Sequence, residues 1–585
     1  MPAVNFLNDH YRKQARRRTR VIALFCAFWF LIIVVRLVQI QVFGHARSVV
    51  RVIDQNQRKI YIKPRRGTIY DCQGRILAVS LPARSVYYEP NLADPIPARI
   101  EPIRRLAGTL GLSIADLEKI ESQIRAGVRH IWIKRKIKPD IAARVYNLKL
   151  GIGYEEESKR FYPAGTLAAH VLGGVNIEEK GISGIELKFN AVLQGKKGLA
   201  MNLHDASGRE YHYEVIEEPE NGRDISLTLD GTIQYFAQSA IQKAVTETGA
   251  AWGTAIVSRP DTGEILAMAT SPGFDPNDYP ARPEADYNRA VRNLYEPGST
   301  FKIVTAAAAL ENRVVTLDDT FDCRKGSIDL AGGAIHDHKQ MGVLSFAEVI
   351  TNSSNIGTIM VGQRLSQEQL HRMIDLFGFG RRTGIELPAE AVSKLTPIEK
   401  WSRRSQASLS IGYEILATPI QMLQALNVVA KRGVLIPPRI IKSIEGSRPR
   451  TSEAPQVPIL SPGVGETLAG ILKRAVAEGT GLAARPEGYD TAGKTGTTQK
   501  FDTALKAYST KRHTASFVGF VPADKPELSI IVVLDDPRTE EQYGGQLAAP
   551  VFREIALRSL RTIGVHPGGL NRGLQAGKHA EKERP

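Results

Sequence analysis

Ser299 stands in Glu296-Pro297-Gly298-Ser299-Thr300-Phe301-Lys302, and no other serine of the 585-residue chain has a lysine three positions later. A serine hydroxyl becomes a useful nucleophile when a neighbouring base takes its proton. A lysine serves as that base only where burial or a second cation lowers its pKa. Pro-Gly ends an extended segment, and the Ala-rich stretch that follows predicts a helix opening at or beside Ser299. The i, i+3 spacing then puts Lys302 on the face of the hydroxyl. The start of that helix adds oriented N–H groups where negative charge would develop on an attacked carbonyl. The chemistry indicated is acyl transfer, although S-x-x-K alone arises by chance about once or twice in a chain of this size.

Two further segments have residues that could complete such a site. Asn352-Ser353-Ser354-Asn355 falls where a helix begun by the capping box at Ser345 should stop, so its local reading is a helix C-cap with polar turn residues. A loop there could also present Ser353 and Asn355 to a cleft. Ala492-Gly493-Lys494-Thr495-Gly496-Thr497-Thr498 is strand-like, with small residues that allow close approach of a ligand; read locally it is an edge strand with a surface lysine. The order S-x-x-K, S-x-N, K-T-G, at intervals of 54 and 141 residues, makes coincidence a poor explanation.

These three motifs resemble those of the class B penicillin-binding proteins, the monofunctional peptidoglycan D,D-transpeptidases, and most of all their division-type FtsI group. The resemblance extends through Arg66-Gly67-Thr68-Ile69-Tyr70-Asp71 to Gly74, Arg160-Phe161-Tyr162-Pro163, Gly181-x-x-Gly184-x-Glu186, Ser271-Pro272-Gly273, Gly412-Tyr413 and Gly479-Thr480-Gly481. It implies that Ser299 attacks the D-Ala-D-Ala carbonyl of a stem peptide after Lys302 takes its proton, with the N–H groups of Ser299 and Thr497 as oxyanion hole. It also implies that Ser353 relays a proton to the leaving D-Ala and that Asn355 orients Lys302. Lys494 would hold Lys302 neutral by repulsion and attract the substrate anion, while Thr495, Gly496 and Thr497 would bind the terminal carboxylate. An amine on a second stem peptide then resolves the acyl-enzyme, and a β-lactam acylates and stays.

The implied partners are stem peptides, β-lactams, an FtsW-like SEDS glycan polymerase and other divisome proteins, with no cofactor or metal. Ser354 stands where class A β-lactamases have Asp, and no equivalent of their deacylating Glu segment is evident. A D,D-carboxypeptidase or β-lactamase fits the long N-terminal region poorly. An elongation-type transpeptidase and a noncatalytic scaffold are the other competing readings. Glycosyltransferase activity is not expected.

The elements that must position these residues suggest an α/β (α+β) chain. Six cations between Arg12 and Arg20 precede fifteen consecutive apolar residues, Val21 to Val35, and the run from Val21 to Phe43 predicts a membrane-spanning helix. The positive-inside rule then keeps the N-terminus cytoplasmic and exports the rest, and the resemblance implies an inner-membrane location at the septum. Expected domains are a basic tail (1–20), the spanning helix (21–43), a mixed pedestal (44–222), a transpeptidase domain (223–567) and a disordered tail (568–585).

In the pedestal, Val49 to Ile53 and Lys59 to Ile62 read as strands, a hairpin turns at Asp71-Cys72-Gln73-Gly74, and the glycines around Glu186 read as structural turns. In the larger domain, Thr254–Ser258 and Glu264–Ala269 form a hairpin. Helices follow, strands return at 490–498, 515–521 and 528–534, and a helix spans 550–562. This pattern predicts one antiparallel sheet flanked by helices.

The net charge of +16 includes no basic stripe interleaved with aromatics, which argues against nucleic acid. Cys26, Cys72 and Cys323 have neither disulfide nor zinc spacing. His336-Asp337-His338 has no third ligand in view and reads as a surface or cleft-edge loop.

Overall fold

The computed structural model describes residues 3–43, 57–148, 150–204, 210–278, 287–331, 333–447, 455–502, 504 and 507–567. The chain forms two compact units, one of Met1–Pro64 with Lys196–Glu220, the other of Arg65–Gly195 with Asn221–Pro585. The strand expected at Val49 to Ile53 and the tail 568–585 lie outside the described residues.

In the first unit a single helix, Ala3–Val38, continues into a π-helical turn, Gln39–Phe43. The basic block therefore shares one helix with the apolar run. The 30 residues Arg12–Gln41 are long and apolar enough to cross a membrane. Three antiparallel strands, Gln57–Ile62, Gly198–His204 and Glu210–Glu217, form a sheet with Gly198–His204 in the centre.

The second unit contains two larger sheets. The first has the order Ile441–Ile444, Ile225–Leu227, Ile69–Tyr70, Ile76–Tyr88 and Ile131–Ile137, with Ile152–Phe161 also paired to the long Ile76–Tyr88 strand. The predicted hairpin is present. Asp71 Oδ1 accepts from the N–H groups of Gln73 and Arg75 at 2.9 and 2.8 Å, an Asx-type turn. Ile225–Leu227 pairs in parallel with Ile69–Tyr70, so residues on both sides of Gly222 share this sheet.

Behind it, the motif read as a glycine turn buries an ion triad. Glu186 takes Arg160 Nε on Oε1 at 2.6 Å and Arg66 Nη2 on Oε2 at 2.5 Å, all three side chains at most 3% exposed. Tyr162 adds its hydroxyl to Glu186 Oε1 at 3.3 Å.

The second sheet has five strands in the order Ile265–Ser271, Trp252–Ser258, Leu528–Asp535, Ala507–Val521, Ala492–Asp502, every pair antiparallel. Alternation along the strands sends Ile256, Met268, Val518, Phe520 and Ile531 into one core with helices Lys302–Glu311 and Pro419–Ala430. It sends Ala255, Val257, Phe517, Ile530 and Val532 into another, with helices Gly231–Thr248 and Gly544–Thr562. The last helix starts at Gly544, before the expected Pro550, which lies inside it. Ala548, Ala549 and Phe552 are fully buried and hold the turn that a proline would otherwise end.

Candidate active site

Ser299 sits in a 3-10 turn, Gly298–Phe301, and the α-helix proper begins at Lys302. The turn is tightened by the Thr300 hydroxyl, which donates to the Pro297 carbonyl at 2.8 Å. Gly298 has φ +55°, and a Cβ there would lie 2.2 Å from Thr498 Oγ1; a Cβ on Gly496 would lie 2.4 Å from Ser516 Oγ and 3.2 Å from the Pro297 carbonyl. Two absent side chains thus let the turn of Ser299 lie directly on the K-T-G strand.

The capping box at Ser345 is formed with Glu348, and its helix, Phe346–Thr351, ends as expected. Asn352-Ser353-Ser354-Asn355 does more than end it, because Ser354 caps a second helix, Asn355–Gln363, by accepting from Gly357 N–H. Ser353 lies between the two helices with φ +59°, a conformation costly for a residue with a side chain.

Lys302 Nζ donates to the Ser353 carbonyl at 2.8 Å, to Asn355 Oδ1 at 2.8 Å and more weakly to Ser353 Oγ at 3.4 Å. From the opposite side Lys494 Nζ donates to Ser353 Oγ at 2.8 Å and to the Thr495 carbonyl at 3.2 Å. Ser353 therefore bridges the two lysines. Among the described residues no hydrogen bond joins Lys302 to Ser299, a contact that commonly tightens only with substrate in place.

Lys494 is on an edge strand, but it is fully buried and not the surface lysine of the local reading. Burial pushes its pKa down to about 7. Burial also pushes Lys302 well below the ordinary lysine range, and Lys494 adds to this while Asp337 opposes it. Desolvation is the larger cause and repulsion by Lys494 the second.

The remaining K-T-G residues are held from outside the strand. Thr495 Oγ1 lies 2.7 Å from Thr480 Oγ1, and Thr497 Oγ1 accepts from Gly544 N–H at 3.0 Å, at the start of the last helix. The structure thus places Lys302, Ser353, Asn355 and Lys494 in one network and sets Ser299 beside the strand that holds Thr495, Gly496 and Thr497.

Three sets of contacts around the site are not legible in the sequence. Asp337 contacts the S-x-N loop directly. Thr480, in the Gly479-Thr480-Gly481 segment, meets Thr495. Tyr413 and Phe501 pack edge-on against Tyr508, whose hydroxyl donates to Glu296 Oε1 at 3.0 Å. No local pattern announces these contacts, since Asp337 meets Ser354, Thr480 meets Thr495 and Tyr508 meets Glu296 across 17, 15 and 212 residues of sequence.

Comparison with known proteins agrees with this geometry. Residues 253–557 match the penicillin binding protein transpeptidase domain, and residues 61–227 match the penicillin-binding protein dimerisation domain. Stage V sporulation protein D of Bacillus subtilis is 34% identical over 568 residues, 94% of this chain and 86% of that protein. Peptidoglycan D,D-transpeptidase FtsI of Escherichia coli is 30% identical over 516 residues, 87% of this chain and 85% of that protein. The crystal structure of penicillin binding protein 3 from Mycobacterium tuberculosis complexed with aztreonam superposes with a TM-score of 0.68 at 30% identity, covering 87% of this chain and 98% of that one. The chain belongs to the class B penicillin-binding proteins, the serine-type D,D-transpeptidases of peptidoglycan synthesis.

Proposed function

We propose that this enzyme crosslinks peptidoglycan through an acyl-enzyme on Ser299 during septal wall synthesis, anchored by its N-terminal helix. The observation that carries the chemistry is the buried Lys302–Ser353–Lys494 network, with Asn355 fixing the Lys302 amine. A lysine held neutral by burial can take the Ser299 proton as the hydroxyl adds to the penultimate D-Ala carbonyl. The oxyanion would be met by the backbone N–H groups of Ser299 and Thr497, a reading supported by the close packing of the 297–300 turn on the Gly496 strand. As the tetrahedral intermediate collapses, the C–N bond breaks and the proton passes through Ser353 to the leaving amine of terminal D-Ala. An acceptor amine then attacks the ester carbonyl, forming the crosslinking amide as the C–Oγ bond to Ser299 breaks, and its proton returns along the same route to Ser299 Oγ. Thr495, Gly496 and Thr497 would bind the donor's terminal carboxylate, with Lys494 supplying charge when protonated.

Two family matches on either side of residue 230 support a pedestal to about residue 222 and a transpeptidase domain from 223 to 567. The cations that precede the apolar run on the same helix support a cytoplasmic N-terminus. Likeness to FtsI supports a septal location with an FtsW-like polymerase and divisome proteins as partners. Covalent labelling of membranes by a fluorescent penicillin tests the chemistry: label should appear, require Ser299 and persist for hours. Loss of the label within minutes would indicate a hydrolase. Depletion tests the cellular role, with filaments expected and round cells indicating elongation.

A further inference from the structure

Asp337 lies just past the strand Gly333–His336, 18 residues before Asn355, and its backbone N–H is tied to the Gly326 carbonyl at 3.1 Å. Its side chain is directed at the S-x-N turn. Oδ2 accepts from the Ser354 hydroxyl at 2.8 Å, and Oδ1 accepts from the N–H groups of Asn355, in a short contact, and of Ile356 at 3.3 Å. The preceding residue completes the clamp, because the His336 carbonyl accepts from Asn355 Nδ2 at 2.9 Å.

These bonds settle which way Asn355 faces. An amide whose NH2 is given to a carbonyl has its oxygen left to meet a donor, and here Oδ1 meets Lys302 Nζ at 2.8 Å. Ser354, locked by Asp337 on one side and Gly357 N–H on the other, fixes the turn that puts Ser353 in its left-handed conformation between the lysines. Helix N-terminal N–H groups favour a carboxylate, so Asp337 is stabilised where it stands.

We propose that Asp337 is the positioning residue of the acylation centre, acting through Ser354 and Asn355 to set the amine of Lys302. The proposal rests on Lys302 being the base. The charged and titratable groups facing that amine are Lys494 from the edge strand and Asp337 with His338 from this loop. Removing the Asp337 charge removes the group that favours the ammonium form of Lys302, so the base becomes neutral at lower pH.

The test measures acylation rates with a fluorescent penicillin between pH 5 and 10 for the wild type, Asp337→Ala and Asp337→Asn, with thermal melts reporting folding. Asp337→Ala, which loses all three acceptor contacts, should acylate about 100-fold more slowly, in line with loss of alignment at a reacting centre. Asp337→Asn retains an acceptor oxygen and should recover to within about tenfold of wild type, with its acid limb moved to lower pH. A folded Asp337→Ala with the wild-type rate overturns the proposal. So does an Asp337→Asn profile with an unmoved acid limb, since a merely structural contact would leave the base unchanged. If Asp337→Ala does not fold, the Asp337→Asn profile decides alone. Ser299→Ala and Lys302→Ala run in parallel: acylation persisting in Lys302→Ala overturns the parent mechanism, whereas normal controls with an indifferent Asp337 overturn only this assignment.

Discussion

Gly412 offers a direct test of how finely Ser299 is placed. Its carbonyl accepts from Gly298 N–H at 3.0 Å, and its own φ is +82°. A Cβ built there would sit 2.2 Å from the Gly298 carbonyl oxygen and 2.8 Å from the Gly298 nitrogen, against 3.4 Å for an ordinary contact. Relief requires the two backbones to part by about 1.2 Å, and since both belong to main chain, no side-chain rotation supplies it. Ser299 is the next residue. A displacement of about 1 Å at a reacting group lowers rate on the order of 100-fold, and the left-handed conformation adds roughly 1–2 kcal/mol of strain.

Gly412→Ala should therefore label with fluorescent penicillin about 100-fold more slowly and melt at a lower temperature. Gly446→Ala is the control: its φ is +68°, but nothing lies within 4 Å of the added carbon, so it should lose stability and label normally. If folded Gly412→Ala labels within threefold of wild type, the glycine contact does not position Ser299.

The other substitutions separate the roles within the network. Lys302→Ala should abolish acylation while remaining folded, and Ser353→Ala should retain activity about 100-fold below wild type, as when one proton-transfer group is lost; equal losses in the labelling assay would remove the distinction between base and relay. The folded pKa of Lys494, about 7, lies below its unfolded value of about 10.4, so across that window the unfolded chain binds more protons and wild-type stability rises with pH. Relative to Lys494→Met, the wild type should gain up to about 1.4 kcal/mol per pH unit from about pH 7 to 10 in urea unfolding; a difference flat with pH refutes burial as the cause. Glu186→Gln leaves Arg66 and Arg160 buried without their anion and should destabilise by about 3–5 kcal/mol, an effect that an unchanged thermal midpoint would contradict.

The sequence disclosed those parts of the site whose chemistry is compact. Ser299 and Lys302 lie within one turn, and the strand patterns at 254–258, 264–269, 490–498, 515–521 and 528–534 pointed to the antiparallel sheet, because alternation follows directly from which face is buried. Long-range contacts left no such trace. Lys494 looked like a surface residue because burial comes from the helices and loop packed over its strand, which no six-residue window contains. Asp337 sat between two histidines and invited a metal reading, when its partners lie 17 to 19 positions on. Glu186 was legible as part of a glycine-rich turn but not as the anion of a buried triad, since its arginines are 120 and 26 residues away.

The strand order of the catalytic sheet also bears on how the protein is made. Trp252–Ser258 has Leu528–Asp535 as its inner neighbour, so a strand near the start of the domain waits for one whose paired residues lie 271 to 283 positions later. During synthesis Ser299 and Lys302 emerge long before the strand that brings Lys494 against Ser353. A chain arrested before residue 528 contains Ser299 and Lys302 while one edge of the Trp252–Ser258 strand stays unpaired, the kind of edge that invites aggregation or capture by a chaperone. Competence to acylate is thus among the last properties the nascent enzyme acquires, and it arrives together with closure of the sheet.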